Sequence, residues 1–203
     1  MKFKQKLTRQ KQYVKRWFDI LGSIFLLMCL SWLILLLVLL ATIDTKRIGL
    51  FTQKRIGYHG KSFLIFKIRT MYINTAIKTH ITTTNDSRLT VFGKLLRKYK
   101  LDELPQLFNV LFGQMSFVGP RPDVKGFADE LIGEDRIILT VKPGITGPAS
   151  LKFKNEEVLL ALQDYPEEYN RKVIWPQKVA VNKQYVENYS FKQDIVILIK
   201  TLF

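Results

Sequence analysis

Apolar residues dominate one long stretch near the start of the chain, then give way to short segments of mixed character. From Ile20 to Ala41 no residue is charged, and most are Leu, Ile or Val. As a helix this run rises about 33 Å, close to the roughly 30 Å hydrocarbon core of a bilayer. A cleaved signal peptide would have a shorter apolar core ending in small residues, and Leu39-Leu40-Ala41-Thr42-Ile43 does not match that pattern. Further on, Leu50–Ile56 and Ser62–Met71 flank Gly57-Tyr58-His59-Gly60 and predict a β-hairpin. Thr90 predicts the cap of a helix through Lys98, with Val91, Leu95 and Leu96 on one face. Asp102 predicts the N-cap of a second helix to about Leu111, with Pro105 in its first turn and Gly113 at its stop. Residues 116–126 and 142–150, stiffened by Pro120, Pro122, Pro143 and Pro148, read as loops. Helices are expected over 123–131, 155–163 and 176–188. A last helix opens at Ser190, with Gln193 completing a capping box. Its Phe191, Ile195, Val196, Leu198, Ile199, Leu202 and Phe203 cover most of its circumference, which suits either a core or a lipid surface. The fold class expected is mainly α with a small β-hairpin, an α+β chain.

Charge adds a direction to this pattern. The chain of 203 residues carries 32 Lys+Arg against 17 Asp+Glu, a net +15. Before the apolar run stand Lys2, Lys4, Lys6, Arg9, Lys11, Lys15 and Arg16, with no acid among residues 1–16; after it come Lys46, Arg47, Lys54 and Arg55, opposed by Asp44. Positive flanks favour the cytoplasmic side of a membrane. Both flanks can lie there if the segment enters and leaves on one face. A straight span oriented by the N-terminal cluster is the alternative, and it would put residues 46–203 outside. The division expected is therefore a basic interfacial lead-in over 1–16, a membrane segment over 17–43 and a folded domain over 44–203. The single cysteine, Cys29, lies inside the apolar run, so no intramolecular disulfide and no cysteine metal site is available. The positive balance suits anionic lipid, phosphorylated substrates or nucleic acid.

The candidate chemistry gathers in one stretch. Asp102 and Glu103 form an adjacent acid pair in Leu101-Asp102-Glu103-Leu104-Pro105-Gln106-Leu107. Near a helix start such a pair can simply cap, can attack phosphorus to form an acyl phosphate, or can hold Mg2+ beside phosphate oxygens. In Gly119-Pro120-Arg121-Pro122 an arginine is fixed between prolines, a rigid presentation for bidentate phosphate contact. Lys67 and Arg69 sit two apart on the second hairpin strand and point to one face, with Lys54 and Arg55 on its partner. Arg88, Lys94, Arg97 and Lys98 add cations just before the acid pair. His59 and His80 have no partner at metal-ligand spacing, and there is no Walker loop or Gly-x-Gly-x-x-Gly. Aromatic residues are not interleaved with the cations as a stacking platform, which argues against nucleic acid.

Taken together, these pieces resemble the bacterial sugar transferases, the monotopic phosphoglycosyl transferases of the small single-domain kind. The resemblance runs through Lys15-Arg16-Trp17-Phe18-Asp19, Phe51 to Gly57, Phe66 to Met71, Gly93 to Lys98, Leu101 to Val110, Gly113 to Pro122, and Lys142-Pro143-Gly144-Ile145-Thr146-Gly147, in the family's order. It implies a re-entrant membrane helix-break-helix and a compact catalytic domain on the cytoplasmic face of the bacterial inner membrane. The implied reaction moves a sugar phosphate from a UDP-sugar to polyprenyl phosphate, releases UMP and begins a surface glycan such as exopolysaccharide, capsule or O-antigen. Asp102 is implied as nucleophile and Mg2+ ligand, and Glu103 as its partner carboxylate. Arg121, Lys67, Arg69, Arg88, Arg97, Gly119 and Pro120 are implied as substrate-binding residues. Membrane lipids, downstream glycosyltransferases and a second copy of the chain are the implied partners. Two departures stand out. The family's usual Ser-Pro helix break reads Ser31-Trp32 here, and the family's run after Gly147 is replaced by Pro148-Ala149-Ser150-Leu151-Lys152-Phe153-Lys154. A membrane-tethered binding module and an inactive scaffold are the competing classes.

Overall fold

A computed structural model describes residues 9–73 and 86–202. Lys2, Lys4 and Lys6 of the basic lead-in, as well as His80 and Phe203, lie outside those residues. The chain is mostly helical, in agreement with the expected class. Its first element, α1, runs from Arg9 to Thr45 without interruption. A break at Ser31 is not seen: no proline removes a backbone N–H there, so helical bonding carries straight through.

Along α1 the buried positions are Lys15, Asp19, Ser23, Ile34, Leu37, Ala41 and Thr45, a stripe at helical spacing. None of residues 24–33 is buried. The helix is thus docked at both ends. Near its start, Phe18, Leu26 and Leu27 pack on a core that includes Val110, Phe117, Tyr185 and Ile197. Near its end, Leu37 and Ala41 pack with Ile68 and Leu96. The opposite face exposes Trp17, Leu21, Phe25, Met28, Trp32, Leu35, Leu39 and Ile43.

Two of the basic flanking residues serve this docking. Arg16 donates to the carbonyls of Val110 (2.6 Å) and Leu111 (2.7 Å), the last orphan acceptors of a helix. Lys15 is buried against Asp194, whose oxygens also accept from Tyr185 (2.6 Å) and Tyr189 (3.0 Å). Asp19 accepts from Ser116 Oγ and the Phe117 backbone N–H, both at 3.0 Å. Lys15 and Arg16, expected in an interfacial lead-in, are spent inside the fold.

The expected hairpin forms from β1 (Leu50–Ile56) and β2 (Ser62–Ile68), antiparallel, with Phe51 opposite Lys67, Gln53 opposite Ile65 and Arg55 opposite Phe63. β2 stops at Ile68, short of Met71, because Thr70 turns to accept the Thr90 N–H through its carbonyl. Helix α2 spans Val91–Lys98 and is capped as expected, the Thr90 hydroxyl accepting from Gly93 N at 2.7 Å. Its inward face is Gly93 and Leu96; Val91 and Leu95, expected beside Leu96, point outward.

Where loops were expected, β3 (Ser116–Val118) and β4 (Gly144–Thr146) form a two-stranded parallel ladder. Residues 123–131 hold one short 3-10 turn, Ala128–Glu130, and no longer helix. Another 3-10 segment spans Gly133–Thr140. Helix α3 is Gln106–Leu111, ended by Gly113 at φ +79, a left-handed position suited to glycine. Helices α4 (Pro148–Lys152), α5 (Glu156–Ala161) and α6 (Pro166–Tyr169) follow, and a π turn leads into α7 (Trp175–Glu187). The last helix, α8 (Phe191–Leu202), has the expected Ser190 hydroxyl accepting from Gln193 N at 3.2 Å. It buries Asp194 and Ile197 against α1 and β3, so it belongs to the core on that face.

Candidate active site

The acid pair does not cap a helix. Lys100 takes a left-handed backbone, φ 57 and ψ 20, and throws the chain into a 3-10 turn over Leu101–Glu103. Left-handed geometry is unfavourable for lysine, and such strain is found where surroundings over-determine it. Pro105, rather than Asp102, stands at the start of α3. Both carboxylates are consequently turned inward, Asp102 5% and Glu103 7% exposed.

Glu103 is clamped. Lys67 Nζ reaches its Oε1 at 3.3 Å, and the Arg121 guanidinium grips both of its oxygens. Burial by itself would raise the Glu103 pKa, but Arg121 and Lys67 outweigh it and hold the carboxyl well below the usual range. Glu103 is a fixed anion that aligns two cations. Asp102 has the opposite character. Burial raises its pKa, with the Glu103 charge adding to the rise and Lys67, Arg97 and Arg121 opposing it. Its Oδ1 is shut off from solvent without a hydrogen-bond partner. A carboxylate so poorly solvated is a stronger nucleophile than one tied to donors, and the cations around it suit an anionic reactant.

The hairpin supplies one wall. Cross-strand neighbours share a face, so Lys67, Gln53 and Arg55 stand together. Arg55 donates to Gln53 Oε1 (2.7 Å) and to the Pro122 carbonyl (3.4 Å). The next residue, Ile56, binds the Asp123 carbonyl through its N–H at 2.8 Å. Asp123 lies among Lys178, Arg55 and Arg121, yet burial still pushes its pKa up to about 6. Gly119 and Pro120 act as framework. Gly119 N donates to Thr146 O and Pro120 O accepts from Gly144 N, each at 2.9 Å. A Cβ on Gly119 would lie 2.4 Å from the Lys142 carbonyl oxygen, so the β3–β4 ladder that projects Arg121 closes around a glycine.

Of the expected site residues, Asp102, Glu103, Lys67 and Arg121 are brought together. Arg97 donates to Glu157 at 3.1 Å, and its charge reaches Asp102. Arg88 forks onto Asp86 (2.9 and 2.6 Å) rather than onto the acid pair. Arg69 lies over the Phe51 ring and donates to Ile48 O at 2.9 Å, so it too is held away from the carboxylates. Arg55 was noted on the partner strand but not as a site residue; strand alternation in step with Lys67 places it there. Asp123 and Gln106 were not singled out from sequence, and nothing local marks Asp123. Among the described residues no group of three or more His, Cys, Asp or Glu could hold a metal. Of the two carboxylates of the pair, Asp102 has an oxygen without a protein partner, the kind of group that can hold Mg2+ beside phosphate oxygens.

This arrangement can be set beside known proteins. Residues 10–203 match the profile of the bacterial sugar transferases. The chain belongs to that family. As a member it is an enzyme. An uncharacterised sugar transferase, EpsL of Bacillus subtilis, is 36% identical over 93% of this chain and 85% of its own length. The exopolysaccharide production protein ExoY of Sinorhizobium fredii is 34% identical over 93% of this chain and 83% of its own. The undecaprenyl-phosphate galactose phosphotransferase of Salmonella typhimurium is 34% identical over 95% of this chain but 40% of its own, longer sequence.

Proposed function

We propose that the enzyme transfers a sugar-1-phosphate from a UDP-sugar to polyprenyl phosphate, releasing UMP through an aspartyl phosphosugar on Asp102. The observation that carries this reading is a buried, unsolvated Asp102 carboxylate ringed by Lys67, Arg97 and Arg121 beside an anionic, immobilised Glu103. Relatives named as undecaprenyl-phosphate galactose and glucose phosphotransferases support the acceptor. In the first half-reaction Asp102 attacks the β-phosphorus and UMP departs with the bonding pair. In the second a polyprenyl phosphate oxygen attacks the same phosphorus and the Asp102 carboxylate is restored. Arg121 and Lys67, held by Glu103, bind the phosphoryl oxygens. Bound at Asp102, Mg2+ would supply neutralisation of the diphosphate charge. Glu103, kept ionised, aligns groups and carries no proton.

The chain sits on one face of the membrane, the cytoplasmic one, where UDP-sugars are made. Both ends of α1 pack on the same folded domain, through Asp19 and Arg16 at one end and Leu37 and Ala41 at the other. A span crossing the bilayer would carry those ends to opposite sides. This packing supports a membrane segment and a catalytic domain that form one unit dipped into the inner membrane from the cytoplasm. The lipid-linked sugar would serve downstream glycosyltransferases.

The test is UMP release by purified protein with Mg2+, polyprenyl phosphate and a panel of UDP-sugars, beside Asp102→Asn. Release with one donor, abolished by the substitution, supports the reading. Equal release from both proteins, or none from folded wild type with any donor, overturns it.

A further inference from the structure

One carboxylate beside the site takes no part in the phosphoryl transfer. Asp123 is half-buried and follows Arg121 by two residues. Its backbone is fixed: the Ile56 N–H binds its carbonyl at 2.8 Å, and Arg55 reaches the Pro122 carbonyl at 3.4 Å. Three cations surround its side chain, Lys178, Arg55 and Arg121. Each of them is bonded elsewhere. Lys178 donates to Glu156 at 2.7 Å, Arg55 to Gln53 Oε1 at 2.7 Å, and Arg121 to Glu103. Among the described residues no donor bonds the Asp123 carboxylate, although cations from three elements stand near it. Burial outweighs those charges and raises its pKa, the mark of a carboxylate kept short of donors. Arg121 feels the charge of Asp102 as well as that of Asp123, so both acids lie near one guanidinium.

We propose that Asp123 accepts a hydrogen bond from a hydroxyl of the donor's sugar and so helps to choose which UDP-sugar reacts. The inference rests on the phosphoglycosyl transfer proposed above. With the β-phosphorus at Asp102 and its oxygens on Arg121 and Lys67, the donor offers Asp123 three groups: the α-phosphate, the ribose beyond it and the hexose. A carboxylate repels the α-phosphate. Ribose and hexose both carry hydroxyl donors, which an anionic oxygen accepts strongly. The hexose hangs directly from the β-phosphorus, whereas the ribose stands one phosphate further away. The hexose is therefore the group that comes within reach of a residue beside Arg121. Pro122, with its φ locked, and the bond from Ile56 hold the acceptor in place, so little ordering remains when the sugar binds. A fixed acceptor without a protein donor also rejects a sugar lacking the matching hydroxyl, because the half-buried carboxylate then stays unbonded.

Deoxygenated donors separate this contact from a structural role and from a contact to ribose. The preferred donor is first identified by UMP release from a panel of UDP-sugars with Mg2+ and polyprenyl phosphate. Wild type and Asp123→Ala are then given that donor, and analogues of it deoxygenated at one sugar position at a time, at pH 8, where the carboxyl is ionised. UDP, which carries the ribose and no hexose, is run as a competitive inhibitor. The expected result for Asp123→Ala is a kcat/KM lowered roughly 10- to 100-fold on the preferred donor, the effect of one hydrogen bond to a charged group, and changed less than about twofold on one of the analogues. The UDP inhibition constant should be that of wild type. Asp123→Asn, which removes the charge without opening a cavity, is the second variant and should show the same pattern at smaller size. Equal losses on the preferred donor and on every analogue, a matching loss of UDP affinity, or an unchanged kcat/KM on the preferred donor overturns the proposal. A wild type that releases no UMP with any donor overturns the underlying reaction instead.

Discussion

Replacing Glu103 with glutamine tests whether that residue is a fixed anion. Its side chain is 8% exposed, that of Lys67 17% and that of Arg121 41%. Removing one partner of a buried ion pair costs about 3–5 kcal/mol, because the other charge is left without compensation. Arg121 is open enough to recover solvent, so its share is that of a surface pair, about 0–1 kcal/mol. Glutamine also keeps one acceptor oxygen. Glu103→Gln is therefore expected to lose about 2–3 kcal/mol, and for a domain of this size roughly 4–12 °C in Tm. Urea unfolding in detergent from pH 4 to 8 gives both the size and the sign. The folded-state pKa is depressed, so the stabilisation is fully present above the unfolded value near ~4.3 and is lost as pH falls through the folded value. The difference between variant and wild type should stay flat from pH 8 to 5 and shrink in stronger acid. A loss under about 0.5 kcal/mol at pH 7 would refute the clamp. So would a loss that shrinks as pH rises from 5 to 8, since that is the signature of a raised carboxyl.

Three further outcomes are expected. Asp102→Asn should be inactive yet more stable at pH 7 by about 1 kcal/mol, because burial disfavours the ionised form; its folded pKa is raised, so the native carboxyl helps at low pH and that help is lost as pH rises, and thermal melts of both proteins check it. Asp123→Asn should match wild type near pH 5 and exceed it by about 1–2 kcal/mol at pH 8, since the native carboxyl, with its pKa pushed up to about 6, costs stability once ionised; a pH series of unfolding curves reads this. Lys15→Met should destabilise by about 3–5 kcal/mol by stranding Asp194 beneath α1, and Lys15→Met with Asp194→Leu should recover most of the loss, giving a strong coupling in a double-mutant cycle.

Features set by neighbouring residues were legible in the sequence. The apolar run announced α1, Gly57 to Gly60 announced the hairpin, and Thr90, Gly113 and Ser190 announced where helices begin and end. Each of these depends on backbone preferences or side-chain bonds across a few positions. The acid pair and the proline-bracketed Arg121 were visible as candidates for the same reason, because their unusual composition is local. Their chemistry was not. Glu103 lies 36 residues from Lys67 and 18 from Arg121, and the pairing that depresses its pKa exists once the hairpin and the β3–β4 ladder converge. Asp102 looked like a cap, and the left-handed Lys100 turned it inward instead. β3 and β4 are three residues each, too short to announce a parallel pairing across 25 intervening positions. Lys15 and Arg16 read as part of a basic interfacial lead-in, but Asp194 and the end of α3 claimed them. Arg69 and Arg88, cations of the same kind as Lys67, were drawn to Ile48 and Asp86. Sequence alone determined which segments are apolar, where turns must fall and which residue types are on hand. Tertiary structure decided which charges meet and which are buried, because electrostatic energy depends on separation and local dielectric, and neither is a property of position along the chain.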